Sequence, residues 1–246
     1  MERVIDPMKD KASRRGRKNG TRLIIKISGE MLGRGGLFSI PAFKRLAREL
    51  KHLNRSGFKI GLVVGGGNIC RGRDLEGIDR LPADWMGMTA TLINGLLLTY
   101  FLEKEKTKTR LFSGVAVDGV VERFVPAKAR PLYDEGYVLI FVFGTGNPGF
   151  TTDTATALRA VELGADAIIK GTKVEGIFDR DPMKNKKAKF YPRLSYDEAI
   201  RKRLAVMDTA AFSLCAEHKI MIHVFNFDKY PLSRAVANPR IGTIVS

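Results

Sequence analysis

Four segments rich in glycine, hydroxyl and basic residues stand where apolar runs stop, and their residue types suit the handling of phosphate. The richest is Phe141-Val-Phe-Gly-Thr-Gly-Asn-Pro-Gly-Phe-Thr-Thr-Asp153. Gly144, Gly146 and Gly149 permit a sharp turn and close approach of the backbone to a ligand. Thr151, Thr152 and Asp153 fall where a following helix presents its unpaired N–H groups, a natural anion site. The first apolar run ends in Lys26-Ile-Ser-Gly-Glu30, a cation beside a Ser-Gly turn. The next ends in Gly65-Gly-Gly-Asn68, with Arg71-Gly-Arg73 behind it. Consecutive glycines expose N–H donors, and a guanidinium can clamp a phosphate through two parallel bonds. A fourth run leads into Lys170-Gly-Thr-Lys-Val-Glu-Gly-Ile-Phe178 and Asp181-Pro182. Brought to one rim, these turns would hold two anionic groups face to face.

Common nucleotide motifs do not account for this set. No Gly-x-x-x-x-Gly-Lys-[Ser/Thr] stretch is present, which excludes a P-loop. The 144–149 spacing matches the dinucleotide fingerprint Gly-x-Gly-x-x-Gly. That fold, however, wants an acid at the end of the next strand to bind a ribose. Here the next strand, 166–170, begins with its acid and ends in lysine, and Pro148 fits the loop poorly.

The two cysteines, Cys70 and Cys215, and the three histidines, His52, His218 and His223, form no ligand cluster, so a structural zinc or a disulfide scaffold is not expected. Scarce cysteine suits a reducing cytoplasm. No apolar run approaches a membrane span, since 92–102 is broken by Asn94, Gly95, Thr99 and Tyr100. The net charge of +16 invites a nucleic-acid reading, yet the basic residues are scattered and no aromatic stacking module accompanies them. A nucleic-acid partner is therefore possible but unsupported.

The elements that must position these turns follow from periodicity. Residues 1–20 lack apolar periodicity and end in a basic cluster, which reads as a disordered extension with 21–246 as one catalytic domain. Strands are expected at 23–27, 59–64, 110–117, 137–143, 166–170, 222–226 and 242–245. Helices are expected at 41–55, 86–105, 152–163, 196–203 and 208–219. Continuous Val/Ile/Leu strands separated by helices give the class as α/β, a mainly parallel central sheet with helices on both faces. Ligands in such sheets collect at the carboxyl ends of the strands.

The motifs in order resemble the amino acid kinase family and, within it, the bacterial uridylate kinases. They are Lys26-Ile-Ser-Gly-Glu30, Gly65-Gly-Gly-Asn-Ile-Cys-Arg-Gly72, Asp84-Trp-Met-Gly-Met-Thr-Ala-Thr-Leu-Ile-Asn94, Gly144-Thr-Gly-Asn-Pro-Gly-Phe-Thr-Thr-Asp153, Lys170-Gly-Thr-Lys-Val-Glu-Gly-Ile-Phe178 with Asp181-Pro182, and Val206-Met-Asp208. The resemblance spans 22–246. It implies an αβα sandwich, transfer of the ATP γ-phosphoryl group to UMP with Mg²⁺, a cytoplasmic homohexamer, activation by GTP and inhibition by UTP. Lys26, Arg71, Asp153 and Asp208 would be catalytic. ATP would meet Lys26, Ile27, Ser28, Gly29, Gly67, Arg71, Thr172, Phe178 and Asp181. UMP would meet Gly66, Asp84, Thr145, Gly146, Asn147, Pro148, Gly149, Phe150, Thr151 and Thr152.

No residue is assigned as a direct metal ligand. Asp153 and Asp208 could each orient Lys26, hold Mg²⁺, or cap a helix. Phe178 could equally serve packing. The stripe of Met86, Met88 and Leu92 reads as buried helix face or subunit contact. Trp85 and Met183 depart from the family pattern, and the 33–39 segment, which corresponds to the region linked to GTP activation, is not diagnostic. Other acceptors, a carboxylate or a carbamate, remain open alternatives, as does a basic nucleic-acid-binding or regulatory protein.

Overall fold

Leu23, Ile25 and Ile27 alternate with Ile24 and Lys26, and the two sets point to opposite sides of a sheet. In the computed structural model, which describes residues 20–204 and 206–246, this segment is β1 (Arg22–Ile27) at the centre of the molecule. The expected extension over 1–20 lies, apart from Gly20, outside the described residues.

The chain continues through α1 (Gly29–Gly33), α2 (Ile40–Arg55), β2 (Lys59–Val64), α3 (Arg80–Lys104), β3 (Thr109–Ser113), α4 (Pro126–Asp134), β4 (Val138–Val142), α5 (Thr152–Leu163) and β5 (Ala167–Thr172). A small hairpin of β6 (Ile177–Phe178) and β7 (Phe190–Tyr191) precedes β8 (Arg193–Leu194), α6 (Tyr196–Arg201), α7 (Thr209–Glu217), β9 (Met221–Asn226), α8 (Leu232–Ala237) and β10 (Thr243–Val245). The main sheet runs β3-β4-β2-β1-β5-β9-β10-β8. Its first six strands are parallel, and β10 turns antiparallel to β9.

Each face carries its own apolar layer. Leu23, Ile25 and Ile27 pack with Phe43, Leu46 and Leu50 of α2, Leu98 and Leu102 of α3 and Leu232 of α8. Ile24 and Ile168 pack on the other face with Tyr133 of α4, Ala157 and Ala160 of α5 and Phe212 of α7. Emptying one such position, as in Leu50→Ala, costs about 2–5 kcal/mol. The period-two rule sends Lys26 and Lys170 to the second face, toward α5.

The α/β class is as expected, and the differences are local. α3 begins at Arg80 rather than 86, because Pro82 lies in the first turn, where a missing N–H leaves no bond unmade. β3 stops at Ser113 where Gly114 turns the chain. α4 was not legible because it holds two prolines, Pro126 at its start and Pro131 inside. α3 is long and apolar enough by composition to cross a membrane, but half of its most apolar stretch is packed inside the fold.

Candidate active site

The glycine-bearing turns leave β4, β2, β1 and β5, four consecutive strands of the sheet. The chain steps one way from β1 to β2 and the other way to β5, so the crevice lies at a topological switch point. A cleft of about 370 Å³ opens there, lined by Lys26, Ser28, Gly29, Gly66, Gly67, Arg71, Asp84, Phe150, Thr151, Thr152 and Asp153 among others. Of the residues singled out from sequence, these come together. Thr145 to Gly149 form the loop beside the cleft, Asp208 lies one layer behind, and Thr172, Phe178 and Asp181 lie outside it, along the β5 exit and the hairpin.

Close backbone approach holds the turns of β1 and β2 together. A side chain on Gly29 would meet the amide of Gly67 at 2.5 Å and the side chain of Asn68 at 2.3 Å. Ile27 is wholly buried, and its carbonyl accepts the Gly65 N–H at 2.9 Å, so its part is to hold one turn on the other. Beneath them α3 carries two polar residues inside the core. Asn94 donates to the Gly65 carbonyl at 2.7 Å and to Asn68 Oδ1 at 2.7 Å. Thr91 Oγ1 accepts the Phe143 N–H at 2.7 Å. The sequence reading gave neither residue a role, although a buried Thr and Asn in an apolar helix are the signal that could have found them.

Lys26 and Lys170 are direct partners across β1 and β5. Asp153, in the first turn of α5, stands between them: Oδ1 lies 3.1 Å from Lys26 Nζ, and Oδ2 accepts from Lys170 Nζ at 2.6 Å. Burial alone would push the Asp153 carboxyl up, but Lys170 and then Lys26 more than offset it and hold it at about 2. Burial pushes the Lys170 ammonium down to about 8 against the opposing pull of Asp153. Lys170 also donates to the Val206 carbonyl. It is absent from the site residues expected from sequence, because its partner is brought in by another element.

The two acids differ in local role. Thr151, not Asp153, caps α5, its hydroxyl accepting the N–H groups of Asp153 at 3.0 Å and Thr154 at 3.3 Å. Asp208 does cap α7, through the Ala211 N–H at 2.8 Å. Its other oxygen accepts from the Thr151 hydroxyl and, at 2.8 Å, from that of Thr154. Asp208 therefore braces the end of the 144–152 loop.

That loop is fixed at its other side by Asp84. Asp84 Oδ2 accepts the Gly149 N–H at 2.8 Å, and Oδ1 accepts from Arg80 at 2.8 Å. Gly144, Gly146 and Gly149 all have positive φ, and Gly146 packs backbone to backbone on Gly114. Thr145 and Asn147 bond each other within the loop, and Phe150 stands largely exposed at the mouth. Arg71 pairs with Glu30, which also takes Lys173 at 3.1 Å. Lys26, Arg71, Arg73 and Arg80 make the cleft wall cationic, suited to two phosphorylated ligands.

On the outer side, Thr172 Oγ1 donates to the Val174 carbonyl at 2.7 Å. Phe178 packs on Phe190 with ring centroids 5.3 Å apart, and Asp181 accepts the Met183 N–H at 2.9 Å. The Met86, Met88 and Leu92 stripe divides: Met88 and Leu92 are buried, while Met86 and Trp85 are exposed.

The description of the amino acid kinase family matches residues 21–226. The chain is 44% identical over 229 residues to uridylate kinase from Methylococcus capsulatus, covering 91% of this chain and 96% of that protein. It is 45% identical over 230 residues to uridylate kinase from Colwellia psychrerythraea, covering 92% and 93%. The solved UMP kinase of Bacillus anthracis superposes with a TM-score of 0.87 at 34% identity, covering 93% of this chain and 97% of that one. Sequence and fold agree along nearly the whole described chain, which therefore belongs to the amino acid kinase family and, within it, to the uridylate kinases.

Proposed function

We propose that this protein transfers the γ-phosphoryl group of ATP to the phosphate of UMP, giving UDP and ADP. The observation that carries the reading is the cationic cleft in which Lys26 and Arg71 stand among the glycine turns of three adjacent strands, β4, β2 and β1. Phosphoryl transfer needs little covalent chemistry from the protein. It needs two phosphates in line and fixed donors where charge accumulates.

Lys26, Ser28, Gly29 and Gly67 would hold the transferring group, with Arg71 leaving Glu30 to neutralise phosphate beside the acceptor. Asp153 keeps Lys26 in place. Gly66, Asp84 and the loop from Thr145 to Thr152 would take UMP, Asp84 exchanging one of its present partners for ribose hydroxyls. Thr172, Phe178 and Asp181 would line the path of ATP. Among the described residues no cluster of three metal-ligating side chains is present, and the oxygens of Asp153 and Asp208 already face lysines, hydroxyls and an amide. Magnesium is accordingly taken to arrive on the ATP phosphates, as part of the substrate.

Self-association, as a hexamer by resemblance, is proposed to use α3, whose outer side exposes Leu81, Trp85, Met86, Ile93, Leu96 and Tyr100. Light scattering with Ile93→Glu tests this; an unchanged mass would contradict it. Control by GTP and UTP belongs to the same proposal and is tested by titrating each into the assay. Localisation in the cytoplasm is likewise proposed. The reaction itself is tested by incubating the protein with UMP and MgATP, and no UDP would overturn it.

A further inference from the structure

We propose that Lys170 is a positioning residue for phosphoryl transfer: anchored on the Val206 carbonyl, it holds Asp153 so that Lys26 is aimed into the cleft rather than drawn back from it. The inference rests on the phosphoryl-transfer reading above and adds a residue that does not itself meet the substrates.

The two lysines share one carboxylate unequally. Lys170 Nζ makes an aligned hydrogen bond of 2.6 Å to Oδ2. Lys26 Nζ lies 3.1 Å from Oδ1 as an ion pair, yet among the described residues no donor is aligned on that oxygen. Lys170 is only 6% exposed and does not line the cleft, whereas Lys26 does. Lys170 is thus the closer partner of the carboxylate, and Lys26, paired at longer range, is the cation that lines the wall where a phosphate would arrive.

Register explains why both are needed. Lys26 and Lys170 stand side by side on adjacent strands and face the first turn of α5. Without Lys170, the whole charge of Asp153 would fall on Lys26, and both oxygens would compete with the substrate for its ammonium. Lys170 reaches one step further. Its bond to Val206 ties down the turn that leads into Asp208, and Asp208 holds the Thr151 and Thr154 hydroxyls. The same buried ammonium thus touches the turn before Asp208, while its hold on Lys26 runs through Asp153 alone. The same burial pushes that ammonium down to about 8, as expected of a cation kept in the interior by its partners.

The test is a double-mutant cycle on the full-length protein with UMP and MgATP. Lys170→Met is expected to keep the fold and the KM values for UMP and ATP within about threefold while kcat falls by about 10²-fold, the usual effect of misplacing a reacting group. In an Asp153→Asn background the same change is expected to alter kcat by less than about threefold, because its route of action is already gone. A purely structural lysine would give a loss that multiplies through both backgrounds. That result, or a folded Lys170→Met with kcat within about threefold of wild type, overturns the proposal. If Lys170→Met does not fold, Lys170→Arg and Lys170→Gln carry the test. Arginine is expected to retain kcat within about tenfold and glutamine to lose it, and equal rates in the two overturn the proposal. Wild-type protein that makes no UDP would overturn the kinase reading along with this one, whereas active wild type with indifferent Lys170 variants would sink this one alone.

Discussion

Replacing Gly114 by alanine tests whether the 144–152 loop, proposed to take UMP, is held by direct backbone contact with the end of β3. A Cβ at Gly114 would lie 2.5 Å from the Gly146 amide nitrogen, 2.7 Å from its Cα and 2.8 Å from the Phe143 carbonyl oxygen. All three are main-chain atoms, so no side chain can swing aside. Ordinary contact begins at 3.4 Å, and the loop must therefore retreat by the difference, about 0.9 Å. A shift near 1 Å in a positioning element lowers a rate by about 10²-fold, or about 2.7 kcal/mol at the transition state. The apolar layers on both faces of the sheet lie elsewhere, so the fold should survive. Steady-state kinetics of Gly114→Ala should show kcat/KM for UMP reduced by about 10²-fold with the KM for ATP changed less than about threefold. Wild-type efficiency toward UMP, or a loss carried mainly by the KM for ATP, would show that the Gly114–Gly146 contact does not position the loop.

Three further outcomes are expected. Lys26→Met should retain the fold, checked by circular dichroism, and lose about 10²- to 10³-fold in kcat; an unchanged rate removes Lys26 from the chemistry. Asp153, held at about 2 against an ordinary 3.8, contributes stability that is fully present above pH 3.8 and is lost as pH falls through 2, on the order of 2 kcal/mol. Urea titrations should show the advantage of wild type over Asp153→Asn narrowing across that window, and a constant gap would contradict the assignment. Cys70 lines the cleft, whereas Cys215 is buried and its thiol is pushed up to about 12 by burial and then by Asp208. Iodoacetamide should therefore label Cys70 first, with UMP plus ATP slowing the reaction. Equal labelling of both thiols, or no protection, would count against the placement of the cleft.

What the sequence could and could not disclose follows from the range of each signal. Local periodicity and turn chemistry located 59–64 and 152–163 end to end, and the glycine clusters marked the exits of β2 and β4. The family motifs carried Lys26, Arg71, Asp84 and Asp153 to the walls of one cleft. Lys170 was singled out as part of a motif but given no site role, because its partners lie on α5 and on the turn before α7, and only the β1–β5 register shows that it stands beside Lys26. Gly114 escaped because its close neighbour is 32 residues away in the chain, and nothing about a lone glycine announces that contact. Capping was likewise ambiguous at sequence level: Asp208 and Asp153 both precede helical residues, yet the first is a cap while Thr151 takes that place for the second.

The choice of phosphoryl acceptor is decided by an acceptor profile. Purified protein with MgATP would be offered UMP, CMP and AMP at equal concentration, alongside carboxylate and carbamate acceptors, and the products quantified as nucleoside diphosphates or acyl phosphates. UDP is expected as the dominant product, with CMP and AMP used far more slowly and the small acids not at all. Preferential phosphorylation of a carboxylate or carbamate, or turnover indifferent to the base, would contradict that expectation.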